Sequence, residues 1–111
     1  MPESFRQQII SFMVVPNNTK HRLNHRDEVL RILASYPNFS QYHESARAQQ
    51  IHKEWQRYLA THWPHEKHLS MLPSEMELLR HRLHHLSRLN LGACLSVRQI
   101  INIINNLRSS S

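Results

Sequence analysis

Two groups of histidine are the residues whose spacing first suggests chemistry: His62, His65 and His68 around Trp63-Pro64, and His81, His84 and His85 a short stretch later. Neutral imidazole is a common zinc ligand, so this density raises the question of a metal centre. The ligand set is incomplete. Cys94 is the single cysteine, and no His-Glu-x-x-His sequence supplies a hydrolytic zinc site. No metal and no cofactor are therefore expected. His81 and His84 are placed with Glu77 and Arg88 on the outer face of a helix, and His85 near the border of its apolar side. His21 and His25 would share a face only if the segment holding them were helical. The expected consequence of so many histidines near arginines is a positive charge that grows as pH falls through about 6.5, strengthening any polyanion binding in mild acid. A nucleophile elbow, a phosphate-cradling loop and an acid pair are all missing, and one glycine is too few for a phosphate loop. The acids mostly fall at helix starts or beside basic residues at helical spacing, where capping and ion pairing explain them. The expectation is a protein that is not an enzyme.

Arginine and asparagine carry the second chemistry. The formal charge is +6 with histidine neutral, and the pI is near 10.3, a balance that points toward polyanions and to nucleic acid first. After Glu77 there is no acidic residue, while Arg80, Arg82, Arg88, Arg98 and Arg108 follow. In the last stretch, Val97, Ile100, Ile101, Ile104 and Leu107 recur at three- and four-residue steps, so one helix face is aliphatic. The opposite face carries Arg98, Asn102 and Asn105, with Gln99 and Asn106 to one side. These residue types can read guanine and adenine edges, and Arg80, Arg88 and Arg108 are the expected phosphate contacts. Leu83 through Leu107 resembles a helix-turn-helix, with Gly92 at the turn between Leu91 and Ala93, and Val97 and Ile100 facing inward. Two features depart from that pattern. The turn is about one residue shorter than usual before the first inward valine, and Arg88 stands where a small residue normally lets the helices cross. A plain helical hairpin has the same periodicity.

The elements that must position these residues read as helices throughout. A first helix spans Glu3 to about Val14, with Phe5, Ile9, Phe12 and Met13 on one side, and Pro16 ends it. Pro16 to Asn24 is expected to be a loop, with Asn24 capping a second helix in which Asp27 and Glu28 occupy the first turn and Val29, Ile32, Leu33 and Tyr36 face inward. Pro37 stops it near Tyr36. Ser40 is the expected cap of a third helix from about Gln41 to His62, with Trp55 as core anchor beside Ala48, Ile51, Tyr58 and Leu59, and with Arg47, Gln50, Glu54 and Arg57 facing outward. Trp63-Pro64 closes it. Ser74 and Glu77 form a capping box for a fourth helix with the stripe Met76, Leu79, Leu83, Leu86, ended by Gly92 in the left-handed conformation. A second capping box, Ser96 and Gln99, flanked by Leu95 and Ile100 as a hydrophobic staple, opens the last helix.

The fold class that follows is all-α: one domain over residues 1–111, a compact orthogonal bundle of about five helices whose final pair is helix-turn-helix-like, with a frayed tail at 109–111. The apolar run Ile9 to Val15 is too short to cross a bilayer and has no cleavage site behind it, and a lone cysteine suits a reducing compartment. A cytoplasmic protein without a membrane partner is expected. The aliphatic face of the last helix, widened by Ile103, suits a central helix of the domain or the seam of a homodimer. Two functions from different classes fit: a small DNA-binding regulator, DNA being preferred over RNA, or an adaptor or inhibitor that docks a basic helical surface on an acidic protein partner or in that partner's nucleic-acid channel.

Overall fold

A computed structural model of the chain describes residues 18–73 and 76–105. The first helix expected from the sequence, Arg108 and the tail at 109–111 lie outside the described residues, as does Ser74 of the first capping box. Among the described residues there are six helices and no strand: α1 Thr19–Ala34, α2 Pro37–Ser40, α3 Glu44–Thr61, α4 Trp63–Glu66, α5 Leu78–Leu89 and α6 Val97–Asn105. No helix among them is long and apolar enough to cross a membrane.

The expected loop before Asn24 is helical instead. Asn18 takes the capping position in extended backbone, and its side-chain oxygen accepts from the His21 amide at 3.1 Å. An asparagine that suits a turn is equally able to cap a helix. Asp27 therefore lies in the middle of α1, where it pairs with Arg26 at 2.9 Å rather than complementing a helix start. Pro37 ends α1 as expected but also opens α2, because a proline is tolerated in a first helical turn. Ser40 closes α2 and caps nothing; α3 begins at Glu44 after His43, which makes no side-chain cap. Arg47, expected to face outward, folds back to donate to the Phe39, Ser40 and Tyr42 carbonyls at 3.3, 3.2 and 3.0 Å. That fastens α2 to α3 and holds Phe39 in the core.

Trp55 is fully buried, as are Ala48 and Ile51 on the same face of α3. Its indole N–H donates to the Ser87 hydroxyl at 3.0 Å, which itself donates to the Leu83 carbonyl at 2.7 Å. Trp63-Pro64 does not end helical structure but opens the short turn α4. The next segment folds over α5, and this changes the assignment of its faces. His84, expected on the outer face, is 2% exposed, with the Glu66 carbonyl at 3.0 Å from Nε2 and the Trp63 ring tilted against it. His85 is 1% exposed and meets His25 of α1 edge to face, with the two Nε2 atoms 3.4 Å apart. The helical α1 also separates His21, which is exposed, from His25, which turns inward. α5 starts at Leu78 with Glu77 before it and no side-chain cap, so Met76 precedes the helix and is half-buried.

The end of α5 is a Schellman motif. The Gly92 amide donates to the Ser87 carbonyl at 2.7 Å and the Leu91 amide to the Arg88 carbonyl at 3.3 Å. Gly92 is left-handed, with φ 82, and a Cβ there would lie 3.0 Å from the Trp63 Nε1. Leu91 is left-handed too, at φ 56, in the position where glycine is usual. For a leucine that conformation costs about 1–2 kcal/mol.

The second capping box forms in full: Ser96 Oγ accepts from the Gln99 amide at 3.2 Å, and Gln99 Oε1 accepts from the Ser96 amide at 3.0 Å. Leu95 and Ile100 beside it are both buried. Residues 90–96 separate the last two helices, more than a three- or four-residue bend, and α6 takes its main contacts from α3 and α1 rather than from α5. Val97, Ile101 and Ile103, partly buried, pack against the core beside buried Ile100 and Ile104, so the described part of the aliphatic stripe is seated on the core, and Leu107 lies outside the described residues. α1 and α5 run in opposite directions, with Arg22 bonded to the Leu89 carbonyl at one end and Arg82 to the Tyr36 hydroxyl at the other.

Burial drives the His85 imidazole far below its ordinary range, to about 3, with His25 and the Arg82 and Arg88 charges adding to the effect. It is neutral in the fold but binds a proton in the unfolded chain below about pH 6.5. Its contribution to stability is thus complete above that pH and is lost as pH falls toward the folded value. The expected loss at pH 5 is about 2 kcal/mol from His85 alone. Urea unfolding at pH 7, 6 and 5 checks this: the midpoint falls stepwise at constant slope, and His85→Leu flattens the decline. A midpoint independent of pH over this range contradicts it.

Candidate nucleic-acid interface

α6 can present its polar residues because its capping box fixes the start and its aliphatic residues fix the rotation. With Ile100 and Ile104 buried between α3 and α1, Arg98, Asn102 and Asn105 fall at three- and four-residue steps on the opposite, exposed side. Gln99, also considered for this face, is committed to the Ser96 amide. Arg31 of α1 donates to the Ile103 carbonyl at 3.1 Å, placing a guanidinium at the far end of the same helix. No acidic residue occurs in α5, in α6 or between them.

Arg80 and Arg88, the expected phosphate contacts, have structural partners. Arg88 donates to the Ser70 carbonyl at 2.8 Å and keeps its charge at the surface. Arg80 binds the Glu66 carboxylate, which is buried and also accepts from the Tyr58 hydroxyl at 2.8 Å. We leave Arg80 out of the interface because its charge is matched inside the domain. Helical spacing places Tyr58 in the core and gives Glu66, like the other acids, a capping or ion-pairing role; that the two meet depends on α4 turning back across the end of α3. A cavity of about 140 Å³ lies between α3 and the start of α5, lined by residues including Glu54, Arg57, Tyr58, His62, Glu77 and Arg80.

The electrostatics of these buried groups follow from their partners. Burial alone would raise the Glu66 carboxyl, but the hydrogen bonds from Arg80 and Tyr58 and the Arg80 charge outweigh it and hold the group below its ordinary range. Tyr58 is pushed well above an ordinary phenol, first by burial and then by its bond to the Glu66 anion. Burial likewise lowers His84 below its ordinary range, although its contact with the Glu66 carbonyl opposes this. His85 is therefore removed from any charge that grows in mild acid. Cys94 has His52 Nδ1 3.5 Å from its sulfur, but that ring nitrogen also lies 2.9 Å from the Leu95 carbonyl, an acceptor. The nitrogen must carry its proton to make that bond and cannot take one from the thiol. Burial raises the thiol to about 11. Among the described residues, no three histidine, cysteine or carboxylate side chains gather as a metal ion requires.

No protein-family model, curated protein or solved structure matches this chain.

Glu66→Ala strands the Tyr58 hydroxyl and the Arg80 guanidinium together and is expected to cost about 3 kcal/mol. Glu66→Gln keeps an acceptor for Tyr58 and costs less. Because the folded carboxyl is held low, its contribution is present above the unfolded value of about 4.3 and disappears as pH falls through the folded value. Unfolding midpoints of both variants at pH 7 and pH 3 test this, since the penalty of Glu66→Gln must shrink in acid.

Proposed function

We propose that this is a small, non-enzymatic DNA-binding regulatory protein that presents α6 to the duplex. The observation that carries the reading is one exposed helix face bearing Arg98, Asn102 and Asn105, side chains whose paired donors and acceptors match guanine and adenine edges. Arg98 and Asn102 would address bases. Arg88, and Arg108 beyond the described residues, would meet phosphates. The fully made capping box supports this use, because together with the buried Ile100 and Ile104 it fixes the start and rotation of a nine-residue helix. The connection at 90–96 differs from a standard helix-turn-helix, so the helix would dock by its own geometry rather than by that motif's.

A second reading, docking on an acidic protein partner, draws support from Met71, Leu78 and Leu91, large apolar side chains that stand exposed among the described residues. It needs a basic apolar surface and no base readout.

Binding of labelled duplex DNA of mixed sequence, followed by anisotropy across a salt series, separates the two. The DNA reading expects affinity to fall steeply with salt, Arg98→Ala to weaken binding and lower the salt slope by about 1, and Asn102→Ala to change sequence preference by roughly tenfold at one position. Absence of binding at low salt eliminates it in favour of the acidic protein.

A further inference from the structure

The turn between α5 and α6 presents a side chain that the fold itself does not use. Leu91 is 75% exposed. It occupies the left-handed position of the Schellman motif, where glycine would relieve the backbone. Strain held at an exposed apolar residue is a reason to look for function there.

The turn is cross-bonded and flanked by arginines. Asn90 Nδ2 donates to the Ala93 carbonyl at 2.7 Å across the turn. Arg26 donates to Asn90 Oδ1 at 3.1 Å, Arg22 to the Leu89 carbonyl and Arg88 to the Ser70 carbonyl. Among these groups Asp27, paired with Arg26, is the acid. An apolar knob is thus held within a basic rim drawn from α1 and α5.

Duplex DNA is the complement of that arrangement. Its stacked bases form an apolar slot flanked on both sides by phosphates, and leucine is among the side chains that wedge between base steps. An acidic protein would need an apolar pocket with carboxylates spaced around it; any base step supplies both features. We propose that Leu91 is a wedge that enters a base step of duplex DNA while Arg22 and Arg88, whose partners are neutral carbonyls, meet the flanking phosphates. The wedge rests on the DNA reading of α6, which itself requires binding but no unstacking.

The test uses the full chain and a duplex rich in TA steps, which unstack readily, with 2-aminopurine at one such step and a distant dye for anisotropy. Wild type is expected to raise 2-aminopurine fluorescence about twofold or more on binding. Leu91→Ala and Leu91→Gly should return it to the level of unbound duplex while binding persists. Leu91→Gly should also raise Tm by a few degrees, because it releases the left-handed strain. Binding without a fluorescence rise overturns the wedge and leaves the α6 reading standing. No binding at all overturns both. A fall in Tm for Leu91→Gly makes Leu91 a structural residue and overturns the wedge. Leu91-dependent binding of poly-glutamate without duplex binding assigns the knob to an acidic protein and overturns it as well.

Discussion

The packing of this domain depends on burying the indole of Trp55 without stranding its N–H. The ring is completely enclosed, and the polar group within its reach is the hydroxyl of Ser87, also completely enclosed. A larger residue at 87 would keep α5 away from α3, and an apolar one would leave the indole N–H without an acceptor, at a cost of about 1–3 kcal/mol. Ser87 meets both demands, and its own hydroxyl hydrogen goes to Leu83. With α3 and α5 fixed in this way, α1 closes over α5 and α6 settles on α3 and α1. The aliphatic residues of α6 can then be buried in one rotation, which decides what its other face shows.

Positive charge has two uses in this chain. Four of the nine described arginines turn toward carbonyl oxygens: Arg22 at the end of α5, Arg31 at the end of α6, Arg47 at the end of α2 and Arg88 at the segment crossing α5. Helix ends carry partial negative charge and carbonyls without helical partners, so a guanidinium satisfies both. Bonds to neutral carbonyls leave the arginine charge uncancelled, so the architecture makes the surface basic as a by-product. Arg98 differs in projecting from the exposed face of α6. Net charge alone is therefore weak evidence for a polyanion partner in this protein, and the arrangement of α6 is stronger.

Much of the fold was legible where the signal is local. The Ser96–Gln99 box and the buried face of α3 depend on residues a few positions apart, and both form; Gly92 is left-handed, but the position that ends α5 falls to Leu91. The errors have a common physical origin in longer-range contacts. His84 reads as an outer residue of α5 until α4 and the segment after it cover that side. Ser40 looks like a cap because nothing local reveals that Pro37 will start a helix of its own. Asn18 and Asn24 are both competent caps, and a hydrophobic period begun early by Leu23 was too faint among polar neighbours to favour the first. Of the candidate interface, Arg98, Asn102 and Asn105 follow from helical spacing alone. The internal engagement of Arg80 does not, because Glu66 is fourteen positions away and joins it through a turn. Leu91 was invisible as a functional candidate, since only its backbone angle and exposure set it apart.

Backbone amide NMR of the full chain during titration with duplex DNA tests most directly whether α6 is the surface that meets a partner. The predicted result is a set of shifts confined to the turn at 90–93, the exposed positions of α6 and the adjoining start of α1. Shifts that instead gather around Tyr58, Glu66 and Arg80, or a spectrum that does not change, would contradict it.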